Sequence, residues 1–296
     1  PSPDAMSQAL ISIVFDGLAY GMLLFIIAVG LSITMGLMGF INLAHGAFAM
    51  AGGYATVSLT QTLGVPFLPA LALAFLLVGG ASILFERVLY ARLYGASELD
   101  QVLLSIGLVF MAAAAFTFFY GPSPQRVAVP DHLKGQIDLG VRAFPTYRVF
   151  LIAVGLGLMA ALWLLFERTL IGARIRAAVD NRRMAQSVGI DVEALFTWTF
   201  ACGSGLAAVG GGLAAEVIGL SPTFAIQYLV FFLIVVTVGG AGSLWGAFVA
   251  ALLLGFLDNA GKYLWPDGGA FFIYIATVAL LLRKPDGLFG RAGRPQ

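Results

Sequence analysis

Hydrophobic and polar positions along the chain fall into long apolar runs separated by short polar connections. Runs such as "VFLIAVGLGLMAALWLLF" (149–166) are apolar on every face. A bilayer core takes about 20 residues of helix. Within lipid the backbone must satisfy its own hydrogen bonds, which leaves helices or closed barrels. Barrel strands would alternate apolar and polar residues over roughly ten positions, and these runs do not alternate. The pattern predicts membrane helices at about 8–35, 38–62, 66–86, 101–120, 148–166, 194–220, 224–239, 243–260 and 269–283. The expected fold is all-α and polytopic, with about 8–10 transmembrane helices. Some are expected to be short or broken, and all lie in a single membrane domain over 1–296. No strong internal repeat is visible; glycine-rich turns follow the second and seventh runs, too little to establish one.

Composition strengthens this picture. The chain is 60% hydrophobic and only 10% charged, against about 25% charged in soluble proteins. A net charge of +1 points to no nucleic-acid or other charged partner, and the surrounding partner is the lipid bilayer. The single cysteine, Cys202, excludes an internal disulfide and reads as a small packing residue. The chain begins at Pro1, so the initiator methionine is expected to have been removed or trimmed. No basic segment precedes the first apolar run, so that run is expected to stay as a membrane helix rather than act as a cleaved signal.

Arginine and lysine near span ends set the expected orientation. Residues 1–85 contain neither. Arg87 and Arg92, then Arg168, Arg174, Arg176, Arg182 and Arg183, then Arg283, Lys284, Arg291 and Arg294 mark three cytoplasmic segments. The connection at 121–148 also holds Arg126, Lys134, Arg142 and Arg148, but single spans on either side place it extracytoplasmically. Within it, "RVAV" and "QIDLGVRAF" could pair as short strands, and His132 reads as a surface residue. Such a loop serves as a solvated cap or as a docking surface for an external partner.

The chain lacks the usual signatures of catalysis. "GFLDNAGKY" (255–263) is the nearest approach to a phosphate cradle, but it has one residue too many and a tyrosine after Lys262. "GLGLMA" (155–160) lies inside a span with no strand before it, so it is helix packing rather than a dinucleotide fingerprint. The two histidines are far apart in sequence and have no metal-ligand spacing. Asp16, Glu216 and Asp258 lie within spans but near their predicted ends, and no ion pair inside the spans is expected to match a ligand with one charge of each sign.

Three stretches stand out. "GFINLAHGAFAMAGGYA" (39–55) brings Asn42 and His45 onto one helix face, with Gly46, Gly52 and Gly53 beside them. No third ligand or nucleophile accompanies the pair. It reads either as a hydrogen-bonded brace for a bent helix or as a polar lining of a translocation path. "VGGAGSLWGAF" (238–248) holds Gly239, Gly240, Gly242, Ser243 and Gly246 between two apolar runs. That much glycine breaks a helix, which predicts a tight turn or paired half-helices near the cytoplasmic face. "GSGLAAVGGGLAAE" (203–216) reads as close helix packing through small residues.

The connection at 167–193 predicts a short cytoplasmic helix at 173–187, with Gly189 as its stop. Ile175, Ala178, Val179 and Ala185 share a small face with Arg182 among them. That face suits close docking on another protein; a solvated basic loop is the alternative.

Together these stretches resemble the permease subunits of branched-chain amino-acid ABC importers, of the LivH type. The resemblance is carried by "GLMGFINLAHGAFAMAGGY" (36–54), "GARIRAAVDNRRMAQSVGID" (172–191), "VTVGGAGSLWGAFVAALLLGFLDN" (236–259) and the ending "RKPDGLFGR" (283–291). It implies a second, homologous permease of the LivM type, two cytoplasmic ATPase subunits that hydrolyse ATP, and a periplasmic substrate-binding protein. This chain would itself bind no cofactor and catalyse no reaction. The resemblance assigns ATPase coupling to Arg174, Arg176, Ala178, Asp180, Arg182, Arg183 and Gly189, while Asp180–Asn181 departs from the Glu–Ala–Ala pattern of importers generally. It implies alternating access in the inner membrane. The substrate would be a branched-chain or other small amino acid, with urea, amides or aromatic acids as alternatives. An ion-coupled secondary transporter is the competing class.

Overall fold

In the computed structural model, residues 3–39, 42–138 and 143–290 are described, with side chains from residue 9 onward. Phe40 and Ile41 of the first block, Arg142, Arg291 and Arg294 lie outside the described residues. Among the described residues eleven α-helices follow one another: α1 (Pro3–Met38), α2 (His45–Gln61), α3 (Phe67–Val88), α4 (Glu98–Tyr120), α5 (Thr146–Arg168), α6 (Leu170–Asp180), α7 (Arg182–Ser187), α8 (Val192–Val217), α9 (Phe224–Gly239), α10 (Leu244–Leu264) and α11 (Phe271–Arg283). Each predicted span has its helix. Six of these, α1, α3, α4, α5, α8 and α10, are long and apolar enough to cross a membrane, whereas α9 and α11 are shorter apolar helices.

Helices α1 and α8 form the centre. Their most apolar windows are 78% and 72% buried, against 11% for α4 and 22% for α5, which face outward. Lipid supplies no hydrophobic drive between helices, so contact depends on small residues that let backbones meet. The helices cross where Gly30 lies against Gly203, and they run antiparallel, since Ile27 meets Gly210 and Thr34 meets Gly203. Gly52 packs on Ala208 and Gly211 on Ala49, which seats α2 on α8.

The pairings reveal an inverted repeat that the sequence did not. The series α1–α4 and α8–α11 each runs from a central helix through a short helix and a longer one to a peripheral one. Antiparallel α1–α10 contacts (Gly17 on Phe256, Gly21 on Ala251, Gly36 on Gly242) are mirrored by antiparallel α8–α3 contacts (Gly79 on Ala201, Gly205 on Phe75). The two halves run in opposite directions because α5 crosses once between them. Small residues make these contacts in any order, so they leave no periodic signature in the sequence.

Two local expectations are corrected. The helix expected at 173–187 is two helices, because Asn181 leaves helical geometry and its Oδ1 accepts the Met184 N–H at 3.0 Å. Such caps contribute about 1 kcal/mol. The two segments of the 121–148 loop do not pair with each other. Strand β1 (Gln136–Asp138) pairs antiparallel with β2 (Ala143–Pro145), within the second segment. Val127 and Val129 of "RVAV" are buried, and neighbouring Gln125 forms a bridge to Leu220. His132 is exposed, and Asp131 pairs with Lys134 at 2.8 Å, which lowers the Asp131 pKa.

Candidate functional site

The first block forms a buried corner rather than a continuous helix. After Gly39, which takes a φ of +64°, the chain returns to the core. Asn42 Oδ1 accepts the Ala44 N–H at 3.0 Å and the Tyr90 hydroxyl at 2.9 Å. One turn on, His45 Nε2 donates to the Ile27 carbonyl of α1 at 2.8 Å. A carbonyl only accepts, so the contact fixes the proton on Nε2. Both side chains are buried, at 2% and 1% exposure, so neither meets an open path in this conformation. Gly46 lets α2 approach the Ala225 carbonyl at the start of α9, and Gly53 faces Leu220.

The second glycine block is a tight turn. Gly240 and Gly242 take φ of +93° and +79°, where a side chain would be strained. Ser243 caps α10 by accepting the Gly246 N–H at 3.0 Å, Gly239 packs against Gly246, and Gly242 N–H donates to Ser32 O at 3.1 Å. The chain ending folds back onto this turn: Leu288 N–H donates to Val238 O at 2.7 Å and Phe289 N–H to Gly239 O at 3.1 Å.

The α6–α7 segment sits at the same end of the bundle. Its small face is turned inward, contrary to the expected docking face. Ile175, Ala178 and Ala185 are buried with Leu37 of α1 and with Val192 and Phe196 of α8. An amphipathic stripe says that a face is covered, not by what, and here the cover is the chain itself. Ala178 is therefore removed from any outer surface, while Arg174, Arg176, Asp180, Arg182, Arg183 and Gly189 are exposed. Arg182 lies over the Phe196 ring at 4.9 Å, and Arg176 donates to the Phe166 carbonyl. Gly189 ends α7 with a φ of +86°.

Sequence reasoning missed several residues here. Met184 and Val188 are 62% and 70% exposed on the outer side of α7 and its exit. Glu86, in the last turn of α3, is buried and accepts hydrogen bonds from Thr197 Oγ1 at 2.8 Å and from the Tyr94 hydroxyl. Burial first, then the bond to Glu86, push the Tyr94 pKa up, so the phenol remains a donor at physiological pH. Tyr94 also meets the Phe196 ring edge-on. A buried polar and aromatic cluster thus joins α3 and α8 to the elbow of α6–α7. Two ion pairs were also missed: Arg148 with Asp16, and Lys262 with Asp258 at 2.6 Å.

All four blocks of the resemblance converge at this end. A cavity of about 700 Å³ is lined by Gly36 and Leu37 of the first, Ile175 and Arg176 of the second, Ser243 and Trp245 of the third, and Asp286 and Phe289 of the ending. Residues 13–281 match the family described as branched-chain amino acid transport system / permease component.

The chain belongs to that permease family. Among curated relatives, it is 27% identical over 292 residues to the high-affinity branched-chain amino acid transport system permease protein BraD of Pseudomonas aeruginosa, covering 93% of this chain and 94% of the relative. It is 25% identical to the corresponding protein LivH of Escherichia coli, covering 94% of each. It is 26% identical to the probable branched-chain amino acid transport permease protein LivH of Methanocaldococcus jannaschii, covering 92% of this chain and 90% of the relative. With six helices among the described residues long and apolar enough to cross a membrane, this permease is a multi-pass inner-membrane protein of LivH type and a component of an ABC importer.

Proposed function

We propose that this permease is the transmembrane subunit of an ATP-driven importer for branched-chain or other small amino acids. It works beside a second homologous permease of the LivM type, two cytoplasmic ATPases and a periplasmic binding protein. The observation that carries this reading is the elbow of α6–α7. It projects at the end where the four blocks meet, yet its inner face is packed into α1 and α8. That end is cytoplasmic in this reading, and the 121–148 loop faces the binding protein. Force applied at Arg174, Asp180 or Arg183 would pass through Leu37 into α1, through Phe196 into α8, and through Tyr94 and Glu86 into α3. The inverted repeat supports alternating access, since two halves of opposite direction can rock about a shared core. The turn at Gly239–Gly246, held by the chain ending, would gate or pack that motion. ATP hydrolysis belongs to the partner subunits, and this chain holds no cofactor.

Gly189 tests the coupling. No atom stands within 4 Å of a Cβ placed there, but its φ is +86°. A valine is therefore a backbone problem confined to the elbow. In proteoliposomes holding the whole complex, Gly189→Val is expected to leave ATP hydrolysis within about twofold of wild type while lowering amino-acid uptake about tenfold or more. Normal uptake per ATP would sink the assignment.

The Asn42–His45 corner acts as a brace in this reading. His45→Ala removes a buried ring and its bond to Ile27, at an expected cost of about 2–4 kcal/mol, most of it from the void. The purified complex is expected to melt earlier and to assemble in lower yield. A complex of unchanged melting temperature with altered transport would instead place His45 on the path.

A further inference from the structure

Outside the end just described, one cavity gathers two of the ion pairs found among the described residues. It measures about 200 Å³ and lies between α1, α5, α9 and α10, near the C-terminal end of α8. Among the described residues there are three ion pairs, and two of them, Asp16–Arg148 and Asp258–Lys262, line this cavity. In a chain that is 10% charged, that concentration is not the residue of random placement. Ionisable side chains inside membrane segments are costly and mark sites of function. Asp258 is 3% exposed, and its partner side chain, Lys262, is 56% exposed. Asp16 and Arg148 are about one-third exposed. Each pair thus has capacity left for an incoming group.

We infer that this cavity receives the zwitterionic head of the transported amino acid. The ammonium would meet Asp258 or Asp16, and the carboxylate would meet Arg148 or Lys262. The four side chains sum to no net charge, which suits a ligand with one charge of each sign and disfavours a singly charged one. Tyr20 and Tyr228 also line the cavity, while Leu23, Leu151 and Ile218 supply an aliphatic wall. The size fits a small amphipathic molecule rather than the drug-sized ligands of cavities of about 300–1,000 Å³. The cavity is at the end of the bundle away from α6–α7, where the proposed binding protein would release its cargo. This inference rests on the amino-acid importer reading, so its test separates the two.

The complex is reconstituted with its partners, and ATP-dependent uptake of L-leucine from the loaded binding protein is measured. Two variants are compared. In Asp16→Arg with Arg148→Asp the ion pair survives with its polarity reversed; in Asp258→Asn with Lys262→Gln the pair becomes neutral. Both are expected to assemble and hydrolyse ATP while uptake falls at least tenfold. Uptake within twofold of wild type in the reversed pair would overturn the inference, whereas a wild-type complex that takes up no leucine would overturn the importer reading instead. Binding to the wild-type complex without binding protein supplies a measurement independent of any variant. Labelled L-leucine should be displaced by leucine at least tenfold better than by 3-methylbutylamine or 4-methylpentanoate, which each keep one charge. Equal displacement by all three would count against the cavity as a zwitterion site. A defect present only in phosphatidylethanolamine vesicles, and lost in phosphatidylglycerol–cardiolipin ones, would assign the cavity to a lipid headgroup and likewise overturn it.

Discussion

Valine at position 211 is expected to abolish accumulation of the permease in the membrane. A Cβ at Gly211 would stand 1.8 Å from the Ala49 carbonyl oxygen and 2.6 Å from its carbon, both backbone atoms of α2. No rotamer relieves such a contact, so α2 would have to move away from α8. Overpacking against adaptable side chains costs about 1–3 kcal/mol. Here the neighbour is a helix backbone, and the same displacement would separate Gly52 from Ala208 and pull on the His45–Ile27 bond. The expected outcome of Gly211→Val is a loss of at least about tenfold in correctly folded protein, read by fluorescence-detected size exclusion of a tagged chain. Gly80→Ala and Gly107→Ala are the controls. No atom lies within 4 Å of a Cβ at either position, and alanine is the better helix former by about 1 kcal/mol, so their yield should match wild type or exceed it. A monodisperse Gly211→Val protein at wild-type level would show that α2 and α8 do not meet as described.

That contact also marks the boundary of what the sequence disclosed. The helical membrane class and the positions of the spans were legible because a long apolar run has few other solutions in lipid. The turn at 240–243 and the stop at Gly189 were legible because positive φ favours glycine. The inverted repeat was not, since its mirrored contacts depend on where small residues meet in space. Gly17 on Phe256 and Gly79 on Ala201 share no sequence motif. The inner face of α6 was read correctly as small and wrongly as open, because Leu37 and Phe196 arrive from distant parts of the chain. Glu86 lies in the last turn of α3, and its burial was not legible because Thr197 and Tyr94, which bond to it, come from other elements. Arg148 and Asp16 are 132 residues apart, so no spacing rule links them, although Asp258 and Lys262 at i,i+4 could have been found.

The inward turn of the small face moves the expected ATPase contact to the outer side of the elbow, and with it the second large effect. Replacing both Met184 and Val188 by glutamate is expected to release the ATPase subunits from the permease while leaving the permease itself intact. The two side chains are 62% and 70% exposed, so the fold does not depend on burying them. An exposed methionine and valine beside Arg182, Arg183 and Gly189 form a small apolar patch rimmed by positive charge, the arrangement in which a few anchors carry most of an interface. Two carboxylates there would have to be desolvated on docking and would also neutralise the basic rim. Co-purification of the ATPases is expected to fall at least about tenfold, and uptake with it, at unchanged permease yield. Ala178→Ser serves as the contrast: it adds one hydroxyl at a position only 5% exposed, so its effect should appear in permease stability rather than in ATPase retention. Undiminished ATPase retention in the Met184→Glu, Val188→Glu protein would place the contact elsewhere on the elbow, on the side of Arg174 and Asp180.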